Sequence, residues 1–139
     1  MLYSELISGL WISDIEMLNK DKFLEDNNIT IILNCTQTFD FPKNNSIKKI
    51  RLPFSPIRES DTDITLLRNN YKKIVDYISD NIDENNILIS CYDGKSISPF
   101  IVALYIATKS KISKESIYEI LLTKNKELDL WCDLSLFIN

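Results

Sequence analysis

The sequence predicts an α/β sandwich, a sheet covered by helices, folded as one domain of 139 residues. Three observations predict it. Short β-branched or apolar runs alternate with helix-period segments through the first two thirds of the chain. The remaining third reads as helices alone. No repeat, low-complexity stretch or Pro/Gly/Ser linker divides the sequence.

In chain order, Ser8-Gly9 is placed to turn a strand ending at Glu5-Leu6-Ile7 into another at Leu10-Trp11-Ile12. Between Asp14 and Asn28, Ile15, Leu18, Phe23 and Leu24 give an amphipathic helical pattern. Thr30-Ile31-Ile32-Leu33-Asn34 is a continuous apolar run of the kind that fills a buried parallel strand. A polar loop over 37–46 leads to a strand from Ile47 to Pro53. Ile64, Leu67, Tyr71, Ile74, Val75 and Ile78 share one face of a long helix running to Ile82. Ile87-Leu88-Ile89 is the next strand. Three helical stretches follow: Pro99 to Lys109, with Ser98 as N-cap, Lys114 to Leu122, with Ser113 as N-cap, and roughly Asp129 to Ile138.

Composition narrows the function. A net charge of −4 argues against a nucleic-acid partner, and no apolar run reaches the ~18 residues of a membrane helix. The N-terminus lacks a basic-then-apolar leader. Cys35, Cys91 and Cys132 are an odd set at irregular spacing, which predicts free thiols in a reducing, cytoplasmic compartment. The absence of histidine removes Cys/His metal sites and Cys-His or Ser-His-Asp catalysis. No metal or cofactor is expected. Asn, Ile and Lys exceed a third of the residues, the composition of an AT-rich genome, and a viral source is one expectation.

Chemistry concentrates in Ser90-Cys91-Tyr92-Asp93-Gly94-Lys95-Ser96-Ile97-Ser98-Pro99. A strand delivers a cysteine to a loop that feeds a helix N-terminus, where free N–H groups and the helix dipole cradle an anion. Gly94, one of only two glycines, lets the backbone wrap inward. A cysteine at that mouth is expected to have a lowered pKa. A buried structural cysteine in an ordinary βα turn is the alternative.

Cys91-x-x-Gly94-x-x-Ile97-Ser98 resembles the signature His-Cys-x-x-Gly-x-x-Arg-Ser/Thr of the cysteine-based protein tyrosine phosphatases. Ser98 to Ile106 is similar to the helix after that loop in the dual-specificity branch. Ile7 to Ser13 resembles that branch's opening hairpin, Ile29 to Asn34 its first buried strand, and Ile50-Arg51-Leu52-Pro53 the strand leading to its general-acid loop. The resemblance implies a single-domain dual-specificity-phosphatase-like fold over residues 1–139, with a central, mostly parallel twisted sheet of about five strands flanked by helices. It implies Cys91 at the nucleophile position, a phosphate-binding loop of Tyr92, Asp93, Gly94, Lys95, Ser96 and Ile97, and Ser98 at the hydroxyl that helps the thiolate leave.

The departures bear on activity. Ile97 stands where the family has the phosphate-clamping arginine, and Ser90 where it has histidine. Lys95 is a point charge without a bidentate fork. Of Arg51, Arg58 and Arg68, none lies in the loop. The position aligned with the general acid is Pro56, which leaves Asp61 as the candidate acid; the alternative is that Asp61 and Asp63 cap the helix near Ile64. The resemblance then implies a phosphatase-like protein, inactive or severely impaired, that binds a phosphorylated or acidic protein segment or acts as a scaffold. The alternatives are an active cysteine-dependent dual-specificity phosphatase and an assembly protein with a vestigial pocket. Cys35, Cys132 and the aromatics, Trp131 included, read as packing.

Overall fold

The computed structural model describes residues 3–138. Its strands are β1 (Tyr3–Ile7), β2 (Leu10–Asp14), β3 (Ile29–Asn34), β4 (Lys48–Arg51) and β5 (Asn86–Cys91). They form one sheet in the order β1-β2-β5-β3-β4, antiparallel only between β1 and β2. The helices are α1 (Asp21–Asp26), α2 (Asp61–Asn81), α3 (Ile97–Lys109) and α4 (Lys114–Lys124).

Both sheet faces are covered, which fits the continuous apolar runs Ile31-Ile32-Leu33 of β3 and Ile87-Leu88-Ile89 of β5. Ile87 and Ile89 of β5 point to the larger core with Leu10, Ile12, Ile31 and Leu33, under α2, α3 and α4. Leu88 and Ile32 point to the smaller one, packed with Leu18, Leu24 and Ile47. Helix α3 is buried on nearly every side, from Ile97 through Leu104, as its apolar sequence requires. Gly9 carries the hairpin turn at φ 82°.

Three expected elements differ. The segment 14–28 is not one helix: Lys20, at φ −101° and ψ 81°, separates a 3-10 turn (Ile15–Asn19) from the short α1. Helix α3 starts two residues before Pro99, and Ser98 is therefore inside the helix and not its cap. The expected helix over 129–138 reduces to a 3-10 turn, Leu134–Leu136, with Asp133 accepting from the Ser135 N–H. Residues 129–131 have other partners for their backbone, described below. Ser113 caps α4 as expected, accepting from the Ser116 N–H.

The central strand sets the position of the loop. β5 is paired on both sides, by β2 and β3, and ends at Cys91 beside Asp14. A parallel sheet opens its crevice at the carboxyl ends of such strands.

Candidate active site

The cleft at the end of β5 has a volume of about 100 Å³ and is lined by Cys91, Tyr92, Asp93, Ser96, Ile97 and, from the other side, Ser55 to Arg58 and Trp131. The loop between β5 and α3 thus faces the loop that follows β4. Gly94 sits at φ 69°, the left-handed region its position was expected to need.

Cys91 is 1% exposed. Its sulfur lies 3.2 Å from Ser98 Oγ, accepts from the Ser98 N–H at 3.4 Å, and donates to Asp93 Oδ1 at 3.7 Å. Burial pushes the thiol up from its ordinary value, and the Asp93 charge pushes the same way. The hydrogen bonds from Ser98 and Gly94 only partly oppose them. The expected fall does not occur, because no cation or histidine faces the sulfur strongly enough to repay its desolvation. Burial also raises Cys35, and Cys132 to about 12.

The carboxylate of Asp93 turns back into its own loop. Oδ1 accepts from the Lys95 N–H at 2.8 Å, the Ser96 N–H at 3.2 Å and the Ser96 hydroxyl at 3.1 Å. These N–H groups lie at the approach to the α3 N-terminus, the kind of position where an anion is favoured. Asp93 thus takes up two N–H groups of its own loop, which its sequence position beside Gly94 did not reveal.

Ile97 is 4% exposed, packed in the main core while edging the cleft. Ser90 is buried, its hydroxyl donating to the Asp14 carbonyl at 2.9 Å. Tyr92 points away from the loop interior: its hydroxyl donates to the Phe54 carbonyl at 2.8 Å and accepts from the Gln37 N–H. Lys95 does not line the cleft.

The facing loop is held at both ends. Asp63, 2% exposed, accepts from the Ser55 N–H at 3.1 Å and the Ser55 hydroxyl at 2.5 Å. Ser60, not either aspartate, caps α2 by accepting from the Asp63 N–H. Asp61 is exposed in the first helical turn and lies outside the residues lining the cleft. Pro56, aligned with the acid, does line it.

Arg58 is the arginine that composition alone did not place. It reaches the cleft, but its guanidinium donates to the Asp129 carboxylate at 2.7 Å, to the Trp131 carbonyl at 3.2 Å and to the Leu130 carbonyl. That pairing raises the Arg58 pKa and lowers that of Asp129. Segment 129–131 in turn binds the signature loop, the Asp129 N–H donating to the Lys95 carbonyl at 2.9 Å and the Trp131 N–H to the Ser96 carbonyl at 3.2 Å. Trp131 packs as expected, 5.8 Å from the rings of Phe54 and Phe100, and also walls the cleft.

Residues 10–130 match the family described as dual specificity phosphatase, catalytic domain. Among solved structures, human DUSP28 superposes with a TM-score of 0.79 at 12% identity, covering 92% of this chain and 84% of that one. DUSP15 superposes with 0.77 at 19% identity, covering 91% and 78%. The human tyrosine phosphatase-like serine/threonine/tyrosine-interacting protein gives 0.78 at 12%, covering 92% and 87%. No curated protein sequence matches significantly. The five-stranded, mostly parallel sheet flanked by helices is the fold these structures share with the chain.

Proposed function

We propose, for a chain that belongs to the dual-specificity phosphatase family, that it is a binding module on the phosphatase fold and does not turn over phosphate esters. The observation that carries this reading is Asp93. Its carboxylate takes the Lys95 and Ser96 N–H groups and presents a negative charge where a phosphate would arrive. Three further observations support it. Ile97 offers no donor in place of the phosphate-clamping arginine, a loss of about 10³-fold or more in related phosphoryl-transfer sites. The Cys91 thiol is shifted away from the thiolate. Pro56, the residue the resemblance aligns with the general acid, lines the cleft and carries no proton to donate.

The partner of such a module is an acidic or phosphorylated protein segment, and its compartment is cytoplasmic and reducing. The structural neighbour described as phosphatase-like and interacting is a precedent for the fold serving such a role. The three free thiols fit the reducing compartment.

Hydrolysis of p-nitrophenyl phosphate tests the reading. Wild type and Cys91→Ser are expected to give the same background rate. Turnover within about tenfold of an active family member, lost in Cys91→Ser, overturns it.

A further inference from the structure

Away from the cysteine cleft, a groove of about 300 Å³ runs between β4 and α2, sharing no lining residue with that cleft. Its walls are apolar, from Ile50 and Leu52 on one side to Leu66 and Ile74 on the other. Tyr77 also lines it, and among the described residues the Tyr77 hydroxyl is buried without a hydrogen-bond partner. A buried hydroxyl with no protein partner beside an apolar groove is open to a hydrogen bond from a ligand or a water.

Charge states which ligand. Lys48 Nζ stands 5.4 Å over the Tyr77 ring, and Lys73 lies on the groove wall. Among the described residues neither lysine has an ion-pair partner, although the chain carries a net charge of −4. Asp76, one turn along α2 from Lys73, is taken by Lys109 at 2.8 Å. The groove is thus a local cationic site on an acidic molecule. β4 pairs on one side only, with β3, so an extended backbone edge runs along the same groove. An edge strand beside apolar pockets suits a peptide laid out as a strand.

We propose that this groove binds an acidic protein segment in extended form. One or two apolar side chains of the segment insert between Ile50, Leu66 and Tyr77, and its carboxylates pair with Lys48 and Lys73. The proposal rests on the binding-module reading and names the site and the chemistry of the partner.

The probe is a short fluorescein-labelled peptide of alternating glutamate and leucine, read by anisotropy against the same peptide with glutamine for glutamate. The glutamate peptide is expected to bind at least about tenfold more tightly at low salt, with the difference shrinking as ionic strength rises. Lys48→Glu combined with Lys73→Glu, both exposed positions, is expected to remove the difference while leaving the circular dichroism unchanged. Equal binding of the two peptides, or an unaffected double variant, overturns the proposal. Displacement of the peptide by tungstate moves the segment to the Cys91 cleft and also overturns it. A clear preference for dodecanoate over the peptide would make the groove a small-amphiphile site, again overturning it. Aryl phosphate turnover is read separately and bears only on the module reading.

Discussion

Replacing Asp93 by alanine should convert a closed anion cradle into an open one. In the wild type, an oxyanion that reaches the loop must first break the bonds from the Lys95 and Ser96 N–H groups to the Asp93 carboxylate, at 2.8 and 3.2 Å. Hydrogen bonds to a charged group contribute about 1.5–3 kcal/mol each, and the lower value suits this exposed loop. Two bonds at ~1.5 kcal/mol give ~3 kcal/mol, or about a hundredfold in affinity. Removing the carboxylate also removes its repulsion of the ligand. Against this, the loop loses an acceptor that acts like a helix cap, a cost of about 0.5–2 kcal/mol. The expected outcome is a folded variant melting a few degrees lower that binds tungstate between tenfold and a hundredfold more tightly than wild type, measured by isothermal titration calorimetry. Asp93→Asn, which keeps an acceptor without the charge, should fall between the two. A folded Asp93→Ala protein with unchanged tungstate affinity would refute the reasoning, since the freed N–H groups would then not be presented to the cleft.

Other outcomes follow from the same geometry. Ile97→Arg should lose about 2 kcal/mol or more in urea unfolding, because a buried side chain leaves the core, and should gain tungstate affinity only when combined with Asp93→Ala. Asp63→Ala should cost about 2–4 kcal/mol by leaving the Ser55 N–H and hydroxyl unpaired, and adding Ser55→Ala to it should cost little more; additive losses would refute the coupling. Stability should fall as pH rises above about 9: all three thiols have raised pKa values in the fold, so the unfolded chain ionises first and is favoured, by at most about 1.4 kcal/mol per pH unit for each thiol. Urea midpoints at pH 8 and pH 10 check this, and a flat profile counts against it. For the same reason, iodoacetamide should label all three cysteines more slowly than free cysteine at pH 7.5. Arg58→Ala should speed hydrogen exchange at the Asp129 and Trp131 amides, which the guanidinium holds in place; unchanged exchange would show that the loop carbonyls alone suffice.

The strands β3 and β5 were legible because their apolar residues run together between turn signals, and the loop after β5 because Cys91 and Gly94 sit at family spacing. That this loop joins a strand to a helix was legible for the same reason. The loop's internal hydrogen bonds were not. Whether Asp93 points out to solvent or back onto Lys95 and Ser96 depends on side-chain rotation, which spacing does not encode. The helix end alone predicts a lowered Cys91 pKa; the desolvation that reverses the direction comes with 1% exposure, which spacing does not show. The place of Arg58 is hidden in the sequence because its approach to the cleft depends on contacts some seventy residues distant, at Asp129 to Trp131. That tertiary demand on the backbone also overrode the helical pattern expected from Asp129 onward. The break at Lys20 left no comparable trace, since Leu18 and Leu24 bury equally well from two short turns as from one helix.

The amides of Asp129 and Trp131 grip the carbonyls of Lys95 and Ser96 from behind. Each peptide plane has two ends, so fixing the oxygen fixes the direction of the hydrogen on the far side of the neighbouring bond. Part of the loop's curvature is therefore held by backbone contacts from segment 129–131, whatever side chains the loop itself carries. Under such an arrangement a substitution at Asp93 leaves these backbone contacts in place, whereas one at Ser90 or Ile97 also disturbs a buried side chain. A backbone shape held from outside the loop can outlast changes in the side chains that face the cleft.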